Sequence, residues 1–320
     1  MKVAIVTSKI GAAGGVEVFD RDIKKNLEDR GHRVDIYGVE SLGREPVEAE
    51  KEVGEYFNRI NKKERYGVVL CNGEFGFAVN HPRAINVFHG NYYGYAKSLQ
   101  GLVSSEEIKQ KMTKAELQKI SARDKYVVSV SEASRVQLEE FGVKVDKVIN
   151  NSVNTDIFFP NGKVVVDNFL SVAVGNYYRK GVDVIKRLAD KGFNIRMYGN
   201  IEVSSPNIQN SGFVENKVLC DEYNKARALL FPSRFEGSSL TVLEAMACGC
   251  PIVITPTGDG SNIGKEIKNF VAEDFFEFFI KSLLVSNERE KYSKLAFDYF
   301  WAYHSPDKFK REWTELIEGI

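Results

Sequence analysis

Short apolar stretches rich in Val and Ile recur along the chain, each followed by a stretch of helical character, and this alternation limits the possible folds more than any other feature. "KVAIVTS" reads as a buried first strand, "VEVFDRDIKKNLEDRG" as a helix with Val18, Ile23 and Leu27 on its apolar side, and "HRVDIYGV" as a second strand. "GVVLCN", "AINVFHG" and "YVVSVS" supply further strands, and Ser131 is placed to cap a helix over "EASRVQLEEFG" that stops at Gly142. The segment "NNSVNTDIFFPNGKVVVDN", with Pro160, Gly162 and no helical period, reads as a connection. Beyond it, "FLSVAVGN", "NIRMYGN", "ALLFPS" and "PIVITP" alternate with helices such as "GVDVIKRLADKG" and "NKVLCDEYNKA". The pattern predicts an α/β chain of two Rossmann-like, doubly wound parallel-sheet domains, residues 1–160 and 161–304. A C-terminal amphipathic helix over 305–320, with Pro306 in its first turn and Phe309, Trp313 and Ile317 on one face, is expected to pack back on the first domain.

Charge and cysteine content narrow the function. Lys plus Arg and Asp plus Glu both total 44, so no global field draws the chain to nucleic acid or to an anionic membrane. Cys71, Cys220, Cys248 and Cys250 lie in apolar runs, which suits a reducing compartment, and Cys248 and Cys250 lack the second ligand pair of a zinc site. "MKVAIVTSKIGAAGG" meets glycine too early for a signal peptide and no run of ~20 apolar residues offers a membrane span. A cytoplasmic, soluble protein is the expectation.

The run "SRFEGSSLTVLEAMACGCPIVIT", Ser233 to Thr255, places two acids among small and apolar residues. Ser238 or Ser239 can cap a helix over "LTVLEAMAC" and Gly249 can end it, so Glu236 belongs to the loop before the helix and Glu244 lies about a turn inside it. The loop Gly237, Ser238, Ser239 is small enough for backbone N–H groups to approach a phosphate at the helix N-terminus. Carboxylates beside such a seat suit sugar hydroxyls. The alternatives are a solvated loop acid at Glu236 and an exposed helix position at Glu244.

This stretch closely resembles the signature of retaining GT-B glycosyltransferases of family 4, also called glycosyl transferases group 1. "GGVEVFDRDIKKNLEDRGHRVDIY" is similar to that family's first glycine loop and helix, with Gly14, Gly15, Glu17, Gly31 and His32 in place; "VINNSVNTDIFFP" resembles its interdomain element and "VAVGNYYRKGVDVI" its phosphate-binding loop. The resemblance implies a GT-B fold and transfer of a sugar from a nucleotide-diphosphate sugar, UDP- or GDP-linked, to an acceptor hydroxyl with retention of configuration. It implies that Glu244 binds the ribose, that Glu236 holds the donor sugar, and that Lys180 neutralises the leaving diphosphate, so that no metal is required. Gly15, Gly175, Leu240 and Val214, the last in the loop "GFVENKV" that usually meets the base, complete the implied donor site. The family usually has Arg after the position of Gly175, where this chain has Asn176, and Arg179 is the candidate replacement; its other reading is a surface arginine.

His89 ends a strand of the first half, where a ligand crevice is expected, and the family often has a His there touching the donor sugar; a core histidine is the alternative. Gly14, with Tyr92 and Tyr93, is a candidate acceptor contact, although the tyrosines equally suit loop packing. The spacing in "GAAGGVE" is not that of a nicotinamide-binding loop, and "GDGSNIGKE" is not a Walker loop. The lysine-rich segment "SSEEIKQKMTKAELQKISARDK" suits either peripheral contact with an inner membrane surface, bringing a lipid-linked acceptor, or an ordinary solvated helix. A sugar or another hydroxyl compound is the other acceptor class. Rival readings are a phosphorylase or epimerase of related fold and a nucleotide-sugar-binding protein without catalysis.

Overall fold

A computed structural model describes residues 1–11, 14–163 and 168–320. The chain divides into two compact units, Met1–Asn151 with Asp307–Ile320, and Ser152–Pro306. The division lies ahead of the position 160 drawn from the sequence, because Val153 and Phe158 of the asparagine-rich segment are buried in the core of the second unit. Ala12 and Ala13 of the glycine loop, and residues 164–167 of the connection, lie outside the described residues.

The first unit runs β1 (Lys2–Val6), α1 (Gly15–Glu28), β2 (Arg33–Tyr37), α2 (Ala49–Glu64), β3 (Val68–Asn72), β4 (Ala84–Phe88), α3 (Tyr92–Ser98), α4 (Ser105–Ser121), β5 (Tyr126–Ser129), α5 (Glu132–Glu140) and β6 (Lys147–Val148). The second runs β7 (Phe169–Ala173), α6 (Val182–Asp190), β8 (Ile195–Gly199), β9 (Ile208–Asn210), α7 (Asn216–Lys225), β10 (Leu229–Phe231), α8 (Leu240–Ala247), β11 (Ile252–Ile254), α9 (Gly260–Glu266), α10 (Phe275–Asn287) and α11 (Arg289–Tyr303). The last helix, α12 (Pro306–Gly319), belongs to the first unit for nearly all its length.

Strand alternation explains how the first sheet is covered on both faces. Val3 and Ile5 of β1 turn to Phe19, Ile23 and Leu27 of α1, while Ala4 and Val6 turn to Val53 and Phe57 of α2. α12 adds Phe309, Trp313, Leu316 and Ile317 to the α1 side, each side chain of this size contributing about 1.5–3 kcal/mol on full burial. Polar links help to fix its register: the Asn26 amide donates to Thr314 Oγ1 at 3.1 Å and to Lys310 O at 3.2 Å, and His32 Nε2 lies 3.0 Å from Glu318 Oε1.

Among the described residues the strands form two all-parallel sheets, one of order β2-β1-β3-β4-β5-β6 and one of order β11-β10-β7-β8-β9. Each order reverses once, between β1 and β3 in the first and between β7 and β10 in the second. In doubly wound sheets the loops leaving the carboxyl ends of such strands part to opposite faces and open a crevice that receives ligand. The four cysteines are free and buried, and no helix among the described residues is long and apolar enough to cross a membrane.

Candidate active site

Lys180 and Glu236 meet at the reversal point of the second sheet. Residues 174–181 leave β7 and residues 232–239 leave β10, and backbone contacts bind these two loops together. Gly181 has φ +64°, and a Cβ there would fall on the Pro232 carbonyl, so only glycine fits the approach. The Arg234 amide donates to Arg179 O at 2.7 Å, and the Arg234 guanidinium clasps Asp183 in the first turn of α6 through two bonds of 2.7 Å.

With the loops held, Lys180 Nζ lies 2.6 Å from Glu236 Oε1, with 11% of each side chain exposed. Ser233 Oγ lies 2.7 Å from the same oxygen, and Arg179 Nη1 approaches it at 3.5 Å. Burial alone would raise the Glu236 pKa, but the charges of Lys180 and Arg179 outweigh it and hold the carboxyl below its usual range. Burial and the neighbouring Arg179 lower the Lys180 pKa, opposed by Glu236. Glu236 is therefore not a solvated loop acid, and Arg179 stands in the cluster rather than on an unrelated surface.

Asn176 has a definite local task. Its side-chain oxygen accepts from the Arg179 amide at 2.9 Å and its backbone oxygen from Lys180 N at 3.0 Å, turning the chain so that both cations follow Gly175 closely. Gly175, at φ +100°, donates its N–H to Asn200 Oδ1 at 2.9 Å.

Glu244 lies on α8 and accepts a hydrogen bond of 3.0 Å from the hydroxyl of Tyr223 on α7. Desolvation raises its pKa to about 7, and the Tyr223 bond opposes the rise. Among the described residues no cation pairs with it, which leaves the carboxyl group at the protein's disposal for hydroxyl donors. The serine caps read from the sequence do not form: Ser239 occupies the N-cap of α8 without a side-chain bond, and Ser238 Oγ instead donates to Asp259 Oδ2 at 2.7 Å. Gly249, at φ +68°, follows the helix end as expected. Glu236, Ser239, Thr255, Thr257 and Asp259 line a small recess beside Gly237 and Leu240. Val214 packs on the core between β9 and α7, and neighbouring Phe213 is 71% exposed.

The remaining candidates lie in the first unit. Gly14 is the N-cap of α1 and Gly15 its first residue; the Glu17 carboxylate folds back over Gly14, where a Cβ would strike it. His89 follows β4, with Nε2 3.1 Å from Asn72 Oδ1 and its ring edge-on to Phe19, centroids 4.5 Å apart. Burial depresses its pKa to about 4, so the ring is neutral. Tyr93 stacks on Phe141 at 4.8 Å, and the Tyr92 amide donates to Gln118. In the lysine-rich α4, Lys114 pairs with Glu50, while Lys111 and Lys119 lie over Tyr95 and Phe141.

Sequence reasoning missed Tyr223 and Asn72, which act through partners distant in sequence, and Ser233, which reaches Glu236 three residues on. Among the described residues no group of three or more His, Cys, Asp or Glu is arranged to hold a metal ion.

A fold of two such units is the GT-B type. It is shared over nearly the whole chain with sucrose-phosphate synthase from Thermosynechococcus elongatus, at TM-score 0.81 and 16% identity, covering 99% of this chain and 98% of that one. WaaG, a glycosyltransferase involved in lipopolysaccharide biosynthesis, superposes with TM-score 0.75 at 15% identity, covering 99% of this chain and 100% of the other. More particularly, residues 170–283, which include Lys180, Glu236 and Glu244, match the family described as Glycosyl transferases group 1. An uncharacterized glycosyltransferase of Methanocaldococcus jannaschii is 27% identical over 144 residues, a match covering 41% of this chain and 40% of that protein's length.

Proposed function

We propose that the chain is a retaining glycosyltransferase that takes a sugar from a nucleotide-diphosphate sugar, UDP- or GDP-linked, and places it on an acceptor hydroxyl. The observation that carries this reading is the Lys180–Glu236 pair, backed by Arg179 and Ser233, at the strand reversal within the segment matched to group 1 glycosyl transferases.

Lys180 and Arg179 neutralise the donor diphosphate, and Glu236, already charged, accepts from donor-sugar hydroxyls. The Gly237–Ser239 backbone faces the phosphates at the N-terminus of α8. Glu244 accepts from the ribose hydroxyls with Tyr223 fixing its carboxylate, while Val214 backbone and the exposed Phe213 ring meet the base. In the first unit, His89, Gly14, Tyr92 and Tyr93 belong to substrate recognition.

The bond from the anomeric carbon to the diphosphate oxygen breaks, and the acceptor oxygen bonds to that carbon from the same face. The acceptor proton passes to the departing phosphate oxygen, giving glycoside and nucleoside diphosphate. Charge grows on the leaving diphosphate, and the two fixed cations are worth most at that stage. Glu236 and Glu244 position hydroxyls and form no covalent bond to sugar.

The stereochemistry is tested by incubating the protein with an α-linked donor and acceptor candidates and reading the anomeric coupling of the product by NMR. An α product is expected; a β product contradicts front-face transfer.

A further inference from the structure

Asp20 is a buried carboxylate on α1 that the proposed chemistry does not use. It is 3% exposed, yet no cation pairs with it: its Oδ1 accepts from Asn72 Nδ2 at 2.7 Å, and its Oδ2 is buried with no hydrogen-bond partner among the described residues. A buried acid so poorly compensated is costly to the fold. It also stands at a telling place. Thr7 directly follows β1, Asn72 ends β3 and His89 follows β4, so the group lies at the carboxyl ends of the strands beside the reversal of the first sheet.

The chemistry of this chain of contacts runs in one direction. An ionised carboxylate only accepts, so the Asn72 amide must turn its NH2 toward Asp20; the same nitrogen donates to Thr7 Oγ1 at 3.0 Å. The Asn72 carbonyl then faces His89 Nε2, 3.1 Å away, and a carbonyl only accepts. Nε2 must therefore carry the ring proton, and Nδ1 keeps the lone pair. Phe19, next to Asp20 on α1, holds the ring edge-on and is itself braced by Trp313 of α12, centroids 5.1 Å apart.

We propose that Asp20, acting through Asn72, is a positioning residue that fixes His89 as its Nε2–H tautomer and so presents Nδ1 as the acceptor for a substrate hydroxyl. The second half rests on the reading of His89 as a site residue; the first half does not.

Two-bond 15N–1H correlation of the full chain, recorded above the Asp20 pKa of about 6, separates them. Wild-type His89 is expected as the Nε2–H form. Asp20→Ala, which frees the amide to turn over, gives a mixture of both tautomers, and Asp20→Asn, which retains an acceptor, keeps the wild-type form. If Asp20→Ala does not fold, Asn72→Leu serves, because it removes the carbonyl that holds the Nε2 proton. An Nδ1–H ring in the wild type, or an unchanged tautomer in the folded Asp20→Ala or Asn72→Leu protein, overturns the relay. Donor turnover is measured alongside: His89→Ala lowers it by about tenfold or more, Asp20→Ala lowers it less, in proportion to the Nε2–H form that it loses, and the double variant falls no further than His89→Ala. Unchanged turnover in His89→Ala, with the tautomers as expected, overturns the substrate half and leaves the relay standing.

Discussion

Lys180 and Glu236 are paired at 2.6 Å in a nearly dry setting, with Arg179 and Ser233 on the same carboxylate oxygen. Removing one member of a buried pair strands the other, at about 3–5 kcal/mol, whereas removing both is far milder. Here Arg179 and Ser233 remain beside Glu236, so Lys180→Met is expected toward the lower end of that range. Lys180→Met/Glu236→Gln should recover most of the lost stability in chemical denaturation. It should not recover donor turnover, because the cation for the leaving diphosphate is still missing. Recovery of both would show that the pair is structural only.

Glu244 links stability to pH in a direction opposite to most surface acids. Its folded pKa, about 7, lies above the ordinary glutamate value, so its contribution to stability is full below that ordinary value and is lost as pH rises through about 7. Glu244→Gln, which still accepts from Tyr223, should therefore be more stable than wild type above about pH 7, by roughly 1–3 kcal/mol, and nearly equal to it at about pH 4. Donor affinity should move the other way: it should fall as wild-type Glu244 protonates below about pH 7, and be weak at every pH in the variant. Matching pH profiles of binding in the two proteins would remove Glu244 from the ribose.

Asn176 can be tested by its own geometry. Asn176→Ala loses the bond to the Arg179 amide, a cap-like contact worth about 0.5–2 kcal/mol, and should loosen the loop that aims both cations. Asn176→Asp retains the acceptor and should keep the stability. An Ala variant with wild-type stability and donor binding would leave the turn without the assigned role.

Gly181→Ala should be among the most damaging single-methyl changes in the second unit. It combines a left-handed backbone, φ +64°, with a clash against the Pro232 carbonyl, and a loss of about 2–4 kcal/mol is expected in thermal or chemical denaturation. A change within ~0.5 kcal/mol would mean that the two loops do not depend on this contact.

The sequence was most legible where one element carries its own signal. Runs such as "VVLCN" and "AINVF" became buried β3 and β4 because a parallel sheet covered on both faces needs near-continuous apolar residues. α2 was not read, since its buried residues Val53, Gly54 and Phe57 are scattered through a strongly charged stretch. β6 and β9 are too short to show a period, and their pairing is set by neighbouring strands.

The same division holds in the candidate site. Glu236 and Glu244 stood out as acids in a run of small and apolar residues, and Lys180 through the resemblance of its loop to the family's phosphate-binding loop. Tyr223, Asn72 and Asp20 gain their importance from tertiary partners, and nothing local distinguishes them, while Ser233 opens the same run as Glu236 but serine is common in such loops. Asn176 was legible only as a departure from a pattern; its bond to the Arg179 amide supplies the physical reason for asparagine there.

The central claim, that the Ser152–Pro306 unit binds a nucleotide-diphosphate sugar through Lys180, Glu236 and Glu244, is tested most directly by a thermal-shift panel of UDP-, GDP-, ADP- and dTDP-sugars on wild type and Glu244→Ala. A ligand that binds only the folded state raises its melting temperature with concentration. A rise with a UDP- or GDP-sugar that is lost in the variant is expected. No rise with any of the four on folded wild-type protein, or an equal rise in the variant, would contradict the claim.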